Sequence, residues 1–325
     1  MRINDSQQMN MLPGRYFNRI VHDTERSLVT KTSSNDDKLA DEIRWYLQLP
    51  AELSDTVPHL EKYSLQDEVH FSMEFIGSQT VGDCFVARNQ PDIDWTDILY
   101  GLHRILDRFT HYPGTLSKQH LYNMYFRKTR QRISAVLSQH ERIRALHQRG
   151  HYQLNGMTML CPIRTFYHRT SDLIFLLNEP INAIIHGDLC FSNLFYLPQH
   201  SSSLKLIDPR GSFGSKGIYG DQRYDMAKVR HSLSGYEHIV RNRYRLGVDK
   251  YDIELKIDLQ TVSKGLRNQW DRMLGSHLRA VKIIEALLFL SMLPLHKEDP
   301  QRQLAFYALS TELLADALSD RRGTS

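Results

Sequence analysis

I-I-H-G-D-L-C-F-S-N, Ile184 to Asn193, is followed after a short polar connection by L-K-L-I-D-P-R-G, Leu204 to Gly211. In both stretches a short apolar run feeds a polar turn: Ala183–Ile185 leads into His186, and Leu204–Ile207 leads into Asp208. Apolar runs of this length bounded by turn residues read as buried strands. Leu194–Leu197 and Leu204–Ile207 form a small hairpin in this reading, with Ser201–Ser203 in its turn. A carboxylate at the end of a buried strand, such as Asp208, emerges at the rim of the core, where a cleft opens.

Asp188 and Asn193 stand five apart, so one loop can aim Asp188 at a substrate while Asn193 turns back towards a metal. Phosphoryl transfer from a nucleotide needs that arrangement. A carboxylate orients the attacking hydroxyl and accepts its proton, oxygen ligands hold magnesium on the phosphates, and a cation steadies the phosphate tail. Magnesium takes a few hard oxygen ligands beside water and phosphate oxygens, which Asn193 and Asp208 would supply.

The pattern H-G-D-x-x-x-x-N resembles the signature of aminoglycoside phosphotransferases and choline kinases, which place Gly where protein kinases usually place Arg. I-D-P-R looks like that family's version of the D-F-G metal-binding turn. G-D-Q-R-Y-D-M-A, Gly220 to Ala227, is similar to its G-D-P-x-x-D-L-A segment. Three motifs in order within about forty-five residues form a far more specific signal than H-G-D alone. The stretch 183–234 also resembles phosphotransferases associated with bacterial capsule and surface-polysaccharide synthesis. The resemblance implies Asp188 as catalytic base, Asn193 and Asp208 as metal ligands, and His186 and Asp225 as structural supports of the loop. Cys190, inside the loop, reads as a small apolar filler.

Outward from this centre, the first 77 residues read as strands around one helix. Phe17–His22 and Ser27–Thr32 flank a polar H-D-T-E turn and read as a hairpin. Asn35 or Asp36 caps a helix over 37–49, stopped by Pro50. Val57–Leu65 and Val69–Phe75 read as two further strands. The strand S-L-V-T-K ends at Lys31, and the next helix carries Glu42; the family uses such a Lys–Glu pair on the nucleotide phosphates. Gly14, in Pro13-Gly14-Arg15, is the candidate loop over the phosphates. Met73-Glu74-Phe75-Ile76 falls where the lobes join, so backbone groups of Glu74, Phe75 and Ile76 are candidates for the adenine edge.

After Gly77 the spacing becomes helical. Trp95, Ile98, Leu99, Leu102, Ile105, Leu106 and Phe109 recur at three- and four-residue steps. A long charged helix follows over 116–140, and from Tyr224 onward the chain reads as helical again, with breaks near Gly247 and Pro300. The expectation is an α+β, two-lobed, protein-kinase-like fold: residues 1–77 a nucleotide-binding lobe, residues 78–325 a helical lobe with the catalytic loop and acceptor site.

Composition sets the limits. The 325 residues carry a formal net charge of +4, which does not mark a nucleic-acid binder. The basic run Arg127, Lys128, Arg130 and Arg132 lacks the stacking aromatics of a nucleic-acid module and reads as a solvated face. Three scattered cysteines form neither a metal pattern nor a disulfide framework, so a reduced, cytoplasmic protein is expected. The apolar stretch Ile283–Leu295 is too short to span a bilayer and reads as a buried helix; no membrane partner is expected.

The expected reaction is ATP- and Mg2+-dependent transfer of the γ-phosphoryl group to a hydroxyl of a small alcohol, sugar, polyol or amino alcohol. The alternatives are a nucleotide-binding pseudokinase scaffold and a protein kinase. Only twelve residues separate Asp208 from Asp221, with no A-P-E, leaving little room for an activation segment. Residues 241–325 hold fourteen Lys or Arg against eleven Asp or Glu, which is no acidic trough for a polycationic aminoglycoside. Arg210, Lys216, Asp221 and Arg223 follow Asp208 closely, and the basic residues among them suit a neutral or anionic acceptor. Trp270 is the candidate face for a single cationic group such as choline.

Overall fold

Five short antiparallel strands open the chain: β1 (Met9–Leu12), β2 (Asn18–Asp23), β3 (Leu28–Ser33), β4 (Leu60–Ser64) and β5 (His70–Glu74). They form one sheet in the order β1-β2-β3-β5-β4. The computed structural model describes residues 9–12, 18–66, 68–87, 93–200, 202–259 and 261–319. β2 and β3 pair as the expected hairpin, with Ile20 opposite Lys31. On its other side Lys31 faces Phe71 of β5, so the lysine lies in the middle of the sheet.

Helix α1 (Asp36–Gln48) crosses this sheet. The side chain of Asn35 accepts from Lys38 N and caps it, as Asn-Asp-Asp predicts. Leu39, Glu42, Ile43 and Tyr46 recur at helical spacing on its buried face, with Trp45 beside them. Trp45 is 1 % exposed, and its indole N–H donates to the carbonyl of Ile185 at 2.7 Å. That bond ties the N-terminal sheet region to the strand feeding the decisive loop.

The larger helical part follows with α2 (Val81–Val86) and α3 (Trp95–Thr110). Ile98, Leu99, Leu102, Ile105, Leu106 and Phe109 are all buried, as their spacing predicts. The charged helix runs from Lys118 to Gln139, with a wider turn at Asn123–Arg127. The apolar stretch beginning at Ile283 belongs to the helix Leu278–Met292, which packs against Pro300–Ser319. Among the described residues no helix is long and apolar enough to cross a membrane.

One region departs from expectation. The chain after Tyr224 is not all helix: Tyr244–Asp249 and Asp252–Ile257 form a hairpin. The second of these strands pairs in parallel with His151–Leu154, itself in a hairpin with Met157–Leu160. Period-two alternation in Asp252–Ile257 causes this, with Ile253 and Leu255 inward and Asp252, Glu254 and Lys256 outward. The earlier hairpin turns at Asn155-Gly156, both at positive φ, the geometry that Asn-Gly favours.

Candidate active site

β3 and α1 deliver the first cluster. Lys31 is 6 % exposed, and its ammonium donates to both carboxylate oxygens of Glu42, at 3.0 and 2.8 Å, and to Asp208. Burial alone would discharge Lys31, but Asp208 and Glu42 outweigh it and hold the ammonium charged. Burial pushes the Glu42 carboxyl up to about 8, against the pull of Lys31. Burial also acts upward on Asp208, yet Lys31 prevails and keeps it below the usual carboxylate range. Asp208 adopts φ +59°, in the left-handed region that only small polar residues and glycine enter readily.

The loop after the strand Asn182–Ile184 is held from beneath. The Asp225 carboxylate accepts the backbone N–H of His186 at 2.6 Å and of Gly187 at 2.8 Å. Burial pushes Asp225 up to about 7 despite these bonds. The His186 ring bonds the Ile207 carbonyl through Nε2 at 2.9 Å and accepts the Asp188 N–H at Nδ1, 3.3 Å. Those partners require a neutral ring, and burial pushes its pKa down to about 4. Gly187 needs its φ of +80°, and a Cβ there would come within 2.8 Å of Arg210 Cβ. The far half of the loop rests on the buried Glu237, which accepts from Ser192 N and from Ser232 Oγ, while Ser232 accepts from Phe191 N.

Asp188 Oδ1 lies 2.7 Å from Lys228 Nζ. Five residues on, the Asn193 amide nitrogen donates to the Asp188 carbonyl at 2.8 Å, which leaves the Asn193 oxygen as the acceptor. Asn193 thus offers one hard oxygen and Asp208 an ionised carboxylate, a donor set that fits magnesium.

Several expected residues lie elsewhere. Trp270 is 0 % exposed and donates to the Met226 carbonyl, so its face cannot receive a cation from solvent; the expectation of a substrate role is corrected. Asp221 and Arg223 are likewise buried, paired with each other, with Arg223 also bonding the carbonyls of Leu176 and Asn178 and Asp221 accepting from Tyr125. They brace the fold rather than meet a substrate. Lys216 is exposed and pairs with Asp41 at 3.1 Å. Arg210 alone of that basic group stands beside the loop, its N–H on the His186 carbonyl at 2.8 Å.

At the junction, Glu74 accepts from His59 N and Phe75 donates its N–H to Ser27 at 2.8 Å. The Phe75 amide is therefore engaged within the sheet, and Ile76 follows where the chain leaves β5. Gly14 lies outside the described residues. Sequence reasoning missed Lys228, Lys128, Trp45 and Glu237. Lys228 stood in plain view, three residues after Asp225 on one helical face, and this spacing is the signal that would have found it.

No protein-family model matches the sequence, and no curated protein matches it either. Solved structures do. A microcompartment-associated aminopropanol kinase superposes with TM-score 0.55 at 15 % identity, over 98 % of this chain and 95 % of that one. An aminoglycoside phosphotransferase in a ternary complex with ADP and hygromycin B gives 0.55 at 11 % identity, over 97 % and 95 %. An ADP-bound aminoglycoside phosphotransferase gives 0.53 at 14 %, over 94 % and 92 %. With a small β-sheet region at its N-terminus and a larger helical part behind it, this chain has the two-lobed, protein-kinase-like fold of those phosphotransferases.

Proposed function

We propose that the chain is an ATP-dependent small-molecule kinase, with residues 1–77 as nucleotide-binding lobe and 78–325 carrying the catalytic loop and acceptor site. The observation that carries this reading is the meeting of Lys31, Glu42 and Asp208, from three separate segments, beside a loop that bears Asp188 and Asn193. In this reading Lys31, fixed by Glu42, contacts the nucleotide phosphates. Asn193 and Asp208 hold Mg2+, which when bound neutralises phosphate charge. Asp188 orients the acceptor hydroxyl and takes its proton as the γ-phosphoryl group departs from ADP. Catalysis is then mostly positioning and charge stabilisation.

The similar structures are named for aminopropanol and aminoglycosides, which supports a hydroxyl acceptor; the motif resemblance to capsule-associated phosphotransferases supports a precursor of a surface polysaccharide. ATP as donor fits the ADP-bound neighbours. Three free cysteines fit a cytoplasmic setting, and neither a nucleic acid nor a membrane partner is invoked. The test is coupled ADP detection with a panel of sugars, polyols, hydroxy acids, amino alcohols and aminoglycosides, beside Mg·ATP binding. Acceptor-dependent ADP release is expected. Tight Mg·ATP binding without turnover on any acceptor would favour the scaffold reading instead.

A further inference from the structure

The long helix Lys118–Gln139 brings a second group of cations to the catalytic loop. Lys128 reaches the Tyr224 hydroxyl at 3.4 Å and lies 5.5 Å above the Tyr224 ring. Arg210 donates to the same hydroxyl at 3.2 Å, from a side chain packed on Gly187. Arg132 follows Lys128 by one helical turn, on the same face. Lys228 completes the group on Asp188.

Lys128 and Arg210 thus meet on Tyr224 and Lys228 on Asp188, with Arg132 one turn along the helix from Lys128. Burial depresses the Lys128 ammonium, and Arg210, Lys228 and Arg132 depress it further, with Asp188 acting the other way. Arg132 is lowered by burial and by Arg210. Cations crowded together and partly desolvated repel one another, and the arrangement is favourable when an anion arrives to be shared.

The anion is not the nucleotide tail. Lys31 is engaged by Glu42 and by Asp208. Lys228 pairs with Asp188, while Lys128 and Arg210 meet at the hydroxyl of Tyr224, one turn before Lys228 on the same helix. The second group thus gathers on Asp188 and Tyr224, apart from the contacts that join Lys31, Glu42 and Asp208. In the kinase reading Asp188 meets the acceptor, so a group gathered on Asp188 lies on the acceptor side.

We propose that the acceptor carries an oxyanion group, a phosphate monoester or a carboxylate, close to the hydroxyl that is phosphorylated, and that Lys128, Arg132, Arg210 and Lys228 hold it. This rests on the kinase reading and narrows its acceptor class. Arginine suits the role because its planar fork bonds carboxylate and phosphate oxygens in pairs.

The test uses one three-carbon skeleton in four charge states: glycerol 3-phosphate, glycerate, glycerol and 3-amino-1,2-propanediol. Their binding is measured by calorimetry at fixed ionic strength, with the full chain loaded with Mg2+ and a non-hydrolysable ATP analogue. The expected result is that at least one anion binds about 10–100-fold more tightly than glycerol, the size of a charge-assisted hydrogen bond, and that Lys128→Gln or Arg132→Gln removes most of that gain. The phosphate and the carboxylate are read in separate arms, which says which oxyanion the site prefers. Anions no tighter than glycerol, tighter binding of the amine, or a gain untouched by both substitutions would each overturn the proposal. Failure of the kinase reading shows separately, as absent binding of the Mg2+-loaded analogue in the preceding titration; the anion arms are then run on the nucleotide-free chain with the same criteria.

Discussion

Glu42 grips Lys31 with both carboxylate oxygens, at 3.0 and 2.8 Å from the ammonium nitrogen. The grip fixes a long side chain that otherwise has many rotamers, so in the proposed reading Lys31 would meet the nucleotide phosphates already ordered. Lys31→Met is expected to lower kcat/KM for ATP by about 10²–10³-fold, the size of losing one preorganised charge at the reacting phosphates. Glu42→Gln is expected to cost less, because Lys31 keeps its contact with Asp208. Steady-state kinetics in ATP checks both. Unchanged affinity and rate in Lys31→Met would show that β3 does not face the nucleotide.

Asp188→Asn keeps the size of the side chain and removes its basicity. Turnover is expected to fall by about 10²–10⁴-fold, with Mg·ATP affinity nearly intact. Near-normal turnover on the true acceptor would remove Asp188 from the chemistry.

Asn193 and Asp208 are expected to act on one Mg·ATP complex. Asp208→Ala should abolish metal-dependent nucleotide binding or turnover. Adding Asn193→Ala should then cost far less than it does alone, since residues acting as one unit are not additive. A double variant whose losses multiply in full would mean that the two residues serve different sites.

His186 gives a pH signature. Its ring is neutral in the folded state, with a pKa pushed down to about 4, against an ordinary value of 6.5. The unfolded chain therefore binds the extra proton between those values, and this histidine's contribution to stability is lost as pH falls through that window. The slope is about 1.4 kcal/mol per pH unit at most. His186→Asn should be less stable than the parent at pH 7, by urea unfolding, and the gap should narrow at pH 6 and pH 5. A gap that stays constant with pH would mean that the ring is charged, or equally exposed, in both states.

Much of the site was legible because its chemistry is local in sequence. Asp188, Asn193, Asp208 and Asp225 lie within one stretch of chain; Asn193 bonds the Asp188 carbonyl, and Asp225 holds the loop at Gly187. Lys31 and Glu42 were readable because a strand and a capped helix follow each other directly. What escaped is set by tertiary packing. Trp270, Asp221 and Arg223 have the residue types of a binding site, and only their burial shows that they serve the core. Lys128 looked like part of a solvated charge run, because nothing in the sequence tells which side of a long helix faces Tyr224. The late hairpin escaped because two short alternating strands were read within a helical context, although Ile253, Leu255 and Ile257 carry the period of a strand.

The parallel pairing of Asp252 and Ile253 with Gln153 and Leu154 joins segments almost a hundred residues apart. During synthesis the ribosome delivers Asp188, Asn193 and Asp208 well before it delivers that partner strand. For this interval the edge of His151–Leu154 presents unpaired backbone groups to whatever lies near, including another nascent chain. That sheet is thus completed from its C-terminal side, after Asp188, Asn193 and Asp208 have been synthesised. Translation pauses or chaperone capture upstream of residue 250 would act on a chain that holds Asp188, Asn193 and Asp208 and lacks the strand that pairs with His151–Leu154.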